Sequence, residues 1–379
     1  MRIGIFGGSF DPVHQEHIHL AQAAIKGLAL DELIIMPAGI PPHKQGKRLA
    51  PAADRLAMCK FAFQDIKEAE ISDYEIQNAE QGEVSYTYLT CRYFSEKYPN
   101  AQLFWLVGTD MFYDFFHWKN PDIILSYATL AVCRRSETED NTKEKQRLFF
   151  ERFQKEFAEI PYNGAAVSST EIRARVGLGM SCGNLVTPAV AGYIAEHELY
   201  KNPLIDEGLS LEKPSRAEHS KRVCLLAVKK AEQFHIDKNK AFLAGALHDV
   251  AKNLPLDDKR LQGFVPPKDV PMPVLHQFSG AYVLEHAFGV TDEDILNAVR
   301  YHTSGRAGMS DLEKLIFLAD LLEEARDFPH VEELRAAFDR SLNECMRLSL
   351  EHQVKYLQEQ GGEIYPLTLQ AYEYYKEGR

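Results

Sequence analysis

Two groups of residues in this chain could do chemistry. The first is GGSFDPVHQEH (7–17), where His14 and His17 stand three apart just after a Gly-Gly pair. Gly7 and Gly8 carry no Cβ, so backbone amides there can approach a phosphate closely. A spacing of three puts both imidazoles on one face of a starting helix, beside its positive end. Two such donors could hold a phosphate whose charge grows in a transition state, with no nucleophilic side chain needed. The plain alternative is a glycine turn followed by capping histidines. The second group is His219, His248-Asp249, His276, His302 and Asp320. An adjacent His-Asp at the end of the apolar run AFLAGALHDVAK is unusual, because neither residue tolerates unpaired burial. A divalent cation of the Fe, Mn or Zn type explains it, since imidazole nitrogen and carboxylate oxygen are its ligands. Asp320 lies in the apolar LIFLADLL, where capping or an arginine partner is the plain alternative.

The elements that must position these residues differ between the two halves. RIGIF (2–6), ELIIMP (32–37), QLFWLVG (102–108) and TLAVCRR (129–135) read as strands. Helical patterns lie between them, near 17–26, 52–66 and 85–97. This alternation predicts an α/β fold with a parallel sheet covered by helices. The charged stretch 137–157 reads as an exposed helix or loop, and a last helix is expected near 188–200. Beyond KNPLIDEGLSLEKP (201–214) strand signals vanish. Helical periodicity covers 216–235, 239–249, 275–287, 292–302, 311–326 and 331–358, which predicts an all-α bundle. The expected domains are 1–203 and 204–379.

Composition narrows the class. With 379 residues, two domains are the prior. The net charge of −12 argues against extended nucleic acid as a partner. No apolar run reaches the roughly 18 residues of a membrane helix, so no membrane partner is expected. The start MRIGIFGGSF turns polar too soon for a signal peptide. The six cysteines are scattered, without CxxC, which points to reduced thiols, a cytoplasmic location and no zinc-thiolate site.

The first half resembles the bacterial nicotinate-nucleotide adenylyltransferases of the HxGH nucleotidyltransferase superfamily, which implies a Rossmann-like form of the sheet. The matching strings are GGSFDPVHQEH, MPAGIPPHK (36–44), SYT (85–87), LVGTD (106–110), FHW (116–118) and SSTEIR (168–173). The resemblance implies transfer of AMP from ATP to nicotinate mononucleotide, with Mg2+, yielding deamido-NAD and pyrophosphate. It implies that His14 and His17 contact the ATP phosphates, with Gly7, Gly8, Ser9 and Phe10 forming the phosphate turn. Ser168, Ser169, Thr170 and Arg173 become a second phosphate element, Lys44 a further cation and Asp110 a nucleotide contact. Thr87 and Trp118 take the mononucleotide, Trp118 by stacking on the pyridine. Taken singly, Trp118 could be core packing and Asp110 a helix cap. One position departs: Glu16 stands where the family usually has Gly. A carboxylate there repels phosphate unless it turns to solvent or pairs with a cation.

The second half resembles the HD phosphohydrolase superfamily, and within it the YqeK-type symmetrical bis(5′-nucleosyl)-tetraphosphatases. The strings SRAEHSKRV, GALHDVAK, VLHQFSGAYV, AVRYHTSGR and LADLLEEAR carry the match. The resemblance implies hydrolysis of diadenosine tetraphosphate to two ADP. His219, His248, Asp249 and Asp320 would bind Fe2+ or another transition metal such as Mn2+. Arg216, His276, His302, Thr303 and Arg326 would face the polyphosphate. The expected enzyme is bifunctional, with small nucleotides as partners; a homo-oligomer is compatible with this reading. The competing readings are a nucleotidyltransferase for another acceptor, and an HD domain acting on a different nucleotide or serving as a sensor.

Overall fold

The computed structural model describes residues 1–41, 49–135, 142–162, 164–165, 167–361 and 363–378, with Asp110, Arg135, Thr142 and Lys143 described in backbone alone. The chain divides into two compact units: residues 1–172 with 182–200, and residues 173–181 with 201–379. The division is therefore not a single cut at 203. Residues 173–181 group with the second unit.

The first unit runs β1 (Arg2–Gly8), α1 (Gln15–Leu28), β2 (Glu32–Pro37), α2 (Ala52–Phe63), β3 (Ala69–Ile71), α3 (Tyr74–Glu80), α4 (Thr87–Lys97), β4 (Gln102–Gly108), α5 (Thr109–Asp114), α6 (Pro121–Tyr127), β5 (Ala128–Arg135), α7 (Thr142–Phe153) and β6 (Ala158–Tyr162). Helix α8 (Ser169–Gly177) begins in it, and α9 (Pro188–Glu196) completes it. The six strands are all parallel, in the order β3-β2-β1-β4-β5-β6. Strand order reverses between β1 and β4. Open α/β sheets bind ligands at that switch point, outside the carboxyl ends of the strands. Gly7-Gly8 and Gly108-Thr109 stand at those two ends.

Two features of this unit depart from the sequence reading. The segment read as an exposed helix or loop puts Phe149 and Phe153 into the core, against Phe112, Phe115 and Phe157. The strand β6 follows it unannounced. Its sequence AEIPY holds Glu159 and Pro161, which only an edge position tolerates.

The second unit is helical: α10 (Pro203–Ser210), α11 (Pro214–Gln233), α12 (Lys238–Leu247), α13 (Met272–His286), α14 (Glu293–Arg300), α15 (Asp311–Leu322), α16 (Val331–Arg340), α17 (Leu342–Glu359) and α18 (Pro366–Lys376). The polar stretch 201–214 is no linker. Pro203 sits at a first helical turn, where proline is pre-organised, and Ile205 and Leu209 of α10 enter the core. The stretch 331–358 is two helices, divided at Ser341, whose hydroxyl caps α17 by accepting from Glu344 N–H.

Candidate active sites

In the first unit, His14 is the N-cap residue of α1 and His17 lies one turn in. The Nδ1 of His17 accepts the His14 backbone N–H at 3.1 Å. A neutral imidazole that accepts at Nδ1 carries its proton on Nε2, so His17 offers a donor there. The two rings stack, centroids 3.7 Å apart, and the Phe10 ring meets His17 edge-on. Phe10 is buried at φ 46°, a strained conformation for a bulky residue, of the kind that persists where the surroundings impose it. A Cβ on Gly8 would meet the Phe10 ring at 3.0 Å, and one on Gly7 would meet Trp105 at 3.0 Å. Packing thus leaves little room for a side chain at either glycine.

A buried cation that sequence reasoning passed over holds this turn. Arg55 of α2 is 2% exposed. Its guanidinium donates to Ser9 O (2.8 Å) and Ala50 O (3.1 Å). Asp11, equally buried, accepts from Tyr200 O–H (2.8 Å) and Ala50 N–H (3.2 Å). The only signal was an arginine in an otherwise apolar turn of AADRLAMCKFAF.

The start of α8 is fastened to the same loop. The Ser169 hydroxyl donates to Pro12 O at 2.9 Å, and Ser168 Oγ accepts Glu171 N–H at 3.2 Å. Thr170 and Arg173 follow on the helix, half-buried; Arg173 groups with the second unit. Glu16 is buried and turned onto His19 and Tyr162. Lys44 lies outside the described residues, and so does the side chain of Asp110.

The structure also gathers the strings expected at the mononucleotide. Ser85 Oγ accepts Gly39 N–H and Ile40 N–H, at 3.1 and 3.2 Å. Thr87 opens α4 just beyond it. Lys119 Nζ lies 4.0 Å from the Tyr86 ring centroid, so the residue after Trp118 meets the residue before Thr87. Trp118 is half-buried against Phe115, and its indole N–H has no hydrogen-bond partner. Beneath, Glu75 accepts the Thr90 hydroxyl at 2.8 Å, and burial pushes its carboxyl up to about 7.

In the second unit, five helices deliver one cluster. His219 comes from α11, His248-Asp249 from the end of α12, His276 from α13, His302 from just past α14 and Asp320 from α15. His219 Nε2 stands 2.9 Å from Asp320 Oδ1, and His248 Nε2 3.9 Å from the same oxygen. Asp249 Oδ2 is 3.6 Å from His248 Nε2, and its Oδ1 is 3.1 and 3.5 Å from Nε2 of His276 and His302. The rings are oriented from behind. His248 Nδ1 donates to Gly245 O (2.9 Å) and His302 Nδ1 to Val299 O (2.8 Å). A carbonyl can only accept, so both rings turn the lone pair of Nε2 inward. His219 Nδ1 meets Glu323 Oε1 at 3.1 Å, a carboxylate behind a histidine as metal sites use.

The electrostatics match a cation site. Burial lowers His248 and His276 to about 4, so both are neutral at pH 7. Burial alone would raise Asp249 and Asp320, yet the surrounding imidazoles hold both carboxyls well below their usual range. His248 Nε2 is buried without a hydrogen-bond partner. Such a group is costly unless something binds it. Two triads have converging donors, His219/His248/Asp320 and His248/Asp249/His302. A divalent transition ion fits this set of nitrogen and oxygen donors. His302, expected to face polyphosphate, thus stands among the candidate ligands, and His276 beside it at 3.1 Å.

Cations surround the cluster. Arg216 pairs with Asp249 at 3.0 Å and Arg326 with Asp320 at 2.7 Å. Thr303 Oγ1 and Lys252 Nζ each lie 3.1 Å from His276. Sequence reasoning missed Lys252, Glu323 and Gln277. The last is fully buried and its Oε1 accepts the backbone N–H groups of Thr303 and Ser304. Lys252 lay in plain view, three residues past Asp249 on the helix-end string.

Comparison with known proteins agrees with this division. A Cytidylyltransferase-like family model matches residues 5–175 and an HD domain model residues 216–325. A "Probable nicotinate-nucleotide adenylyltransferase/Ap4A hydrolase" of Mycoplasma genitalium is 30% identical over 328 residues, 86% of this chain and 88% of that protein. A "Probable nicotinate-nucleotide adenylyltransferase" of Clostridium novyi is 37% identical over 202 residues, 52% of this chain and 98% of that protein. A crystal structure of a predicted HD superfamily hydrolase involved in NAD metabolism, from Clostridium acetobutylicum, is 33% identical with a TM-score of 0.44, covering 46% of this chain and 96% of that one. The HD domain implies divalent-metal binding. Among the described residues no helix is long and apolar enough to cross a membrane.

Proposed function

The chain belongs to the family of nicotinate-nucleotide adenylyltransferases fused to Ap4A hydrolases, and from that premise we propose how each unit carries one activity. The observation that carries the reading is that each unit holds a constellation of its own: the His14/His17 pair at the sheet's switch point, and the inward-facing His-Asp cluster among the helices.

In the first unit an oxygen of the nicotinate mononucleotide phosphate attacks the α-phosphorus of ATP. The bond to the β-phosphate breaks and pyrophosphate leaves. His17 donates from Nε2, with His14 beside it, to phosphate oxygens as negative charge grows. The starts of α1 and α8 add their positive ends, and Ser168, Thr170 and Lys44 add donors. Thr87 and Trp118 hold the mononucleotide, with Trp118 against the pyridine. Mg2+ arrives with the ATP phosphates as part of the substrate.

In the second unit His219, His248, Asp249 and Asp320 would hold Fe2+ or Mn2+, with His302 and His276 as further donors. A bound ion of this kind supplies Lewis acidity and an activated water. Arg216, Arg326, Lys252 and Thr303 bind the polyphosphate and balance its charge. Water attacks one of the two central phosphorus atoms of diadenosine tetraphosphate, and ADP leaves with the bridging oxygen, so both products are ADP. We place the enzyme in the cytoplasm, where its nucleotide substrates and reduced cysteines belong.

A substrate panel on the full chain tests this. ATP with nicotinate mononucleotide should give deamido-NAD and pyrophosphate, faster than with nicotinamide mononucleotide. Diadenosine tetraphosphate should give ADP alone with Fe2+ or Mn2+. AMP and ATP as products would contradict the symmetrical cut.

A further inference from the structure

Glu16 stands inside the histidine motif, at the second position of α1, between His14 and His17. A carboxylate facing ATP phosphates there would oppose binding. It does not face them. The side chain is 5% exposed and both its oxygens are engaged within the protein. Its Oε1 meets His19 Nδ1 at 3.0 Å, and its Oε2 accepts the Tyr162 hydroxyl at 2.9 Å. The Ala165 backbone N–H donates to it as well. A Cβ on Gly164 would stand 2.3 Å from Oε2, so the chain closes over the carboxylate only because residue 164 is glycine. Burial alone would raise the carboxyl; the hydrogen bonds from His19, Tyr162 and Ala165 outweigh it and hold it below its usual value.

What these contacts join is specific. Tyr162 ends β6, and Ala165 lies three residues before Ser168, which opens α8. A second link runs the same way, from Ser169 Oγ to Pro12 O. The two phosphate-facing helix starts are therefore fastened at two places, and one fastening is built from the residue that replaces the usual glycine.

Resting on the reading of this site as an adenylyl-transfer centre, we propose that Glu16 is a positioning residue for ATP: it sets the spacing between the His14/His17 helix start and the Ser168–Thr170 helix start. It acts through shape and hydrogen bonding, not through its charge. Removing it loosens the α8 element, which meets ATP, and leaves the mononucleotide pocket alone.

The test uses the full chain and four variants: Glu16→Ala, Glu16→Gln, Tyr162→Phe and the double Glu16→Ala/Tyr162→Phe. Buried hydrogen bonds to a charged group are strong enough that Glu16→Ala should raise KM for ATP by about tenfold or more. KM for nicotinate mononucleotide should stay within about twofold. Glu16→Gln should retain near-native KM for ATP, because its amide oxygen still accepts from Tyr162 and Ala165. Tyr162→Phe should show a smaller rise, and the double variant should be no worse than Glu16→Ala, since both remove one link. An unchanged KM for ATP in Glu16→Ala overturns the proposal. So does an equal rise in both KM values, or a Glu16→Gln variant as impaired as Glu16→Ala. These failures are distinct from failure of the parent reading, in which the wild-type chain itself would form no deamido-NAD.

Discussion

Two settings for buried carboxylates, one in each unit, are opposite. In the first, Glu75 lies beneath the Ser85–Thr87 string with only hydroxyls to meet it, and burial pushes its carboxyl up to about 7. It solves its burial with a proton. In the second, Asp249 and Asp320 stand among imidazoles and arginines, which hold them ionised. They are arranged for a cation. The histidines differ in the same sense. His14 and His17 lean on each other at a helix start on the sheet's rim, with His17 presenting a proton outward. His248 and His302 are fixed from behind by carbonyls and present lone pairs inward. One site is an open donor array completed by the nucleotide it binds. The other is a closed acceptor array that needs an ion to balance it.

Breaking the acceptor array should give the largest effect. Asp249→Ala removes the carboxylate of the His248/Asp249/His302 triad, which adjoins the other triad through His248. Loss of a partner behind a ligand typically costs about 10–100-fold, so loss of the ligand itself should exceed that and take tetraphosphate hydrolysis to background. Adenylyl transfer, assayed on the same sample, should stay within about twofold. The donor array is broken by His17→Ala. Removal of one preorganised donor typically costs about 100–1,000-fold in rate, read as kcat for deamido-NAD formation. Tetraphosphate hydrolysis should not move.

Glu323→Gln sharpens the contrast, because it touches only what stands behind His219. Glu323 accepts from Arg222 (2.7 Å) and Ala325 N–H (2.8 Å) besides His219, and one amide oxygen cannot serve all three. Affinity for Mn2+, measured by titration of metal-free protein, should fall by about 10–100-fold with the fold intact. Glu75→Gln is the smallest effect and appears in stability. Unfolded, Glu75 ionises near the ordinary glutamate value of 4.5; folded, it keeps its proton to about 7. The unfolded state therefore loses its proton first as pH rises, so folding is penalised progressively from about 4.5 to 7 and fully above that. Glu75→Gln should stabilise the first unit above pH 7, by an amount on the order of 3 kcal/mol, and should do little at pH 4. Thermal melts at the two pH values check it.

Much of this was legible in the sequence, for reasons that particular residues make plain. β1, β2, β4 and β5 are continuous apolar runs because both faces of a parallel sheet are covered. Their strings announced themselves, and so did the histidines, whose types and spacing are rare in apolar surroundings. What stayed hidden depends on contacts distant in sequence. β6 has a strand's position without a strand's composition, because Glu159 and Pro161 are tolerable only at an edge. Arg55 looks like a surface arginine until the Ser9 carbonyl, 46 residues away, closes on it. Glu323 reads as one of two adjacent acids in LLEEAR, and only the fold sets it behind His219, 104 residues away. Glu16 read as a liability beside phosphate, because Tyr162 lies 146 residues off and nothing local says which way the carboxylate turns.

The central claim is that one chain carries two separately constituted sites, one closed around a transition metal and one open to a magnesium nucleotide. The direct measurement follows both activities on a single preparation, before and after a transition-metal chelator, with metal content by elemental analysis and Mg2+ restored. Tetraphosphate hydrolysis should disappear with the metal and return with Fe2+ or Mn2+ but not Ca2+, while deamido-NAD formation continues throughout. Hydrolysis that persists in metal-free protein, or a parallel loss of both activities, would contradict the account.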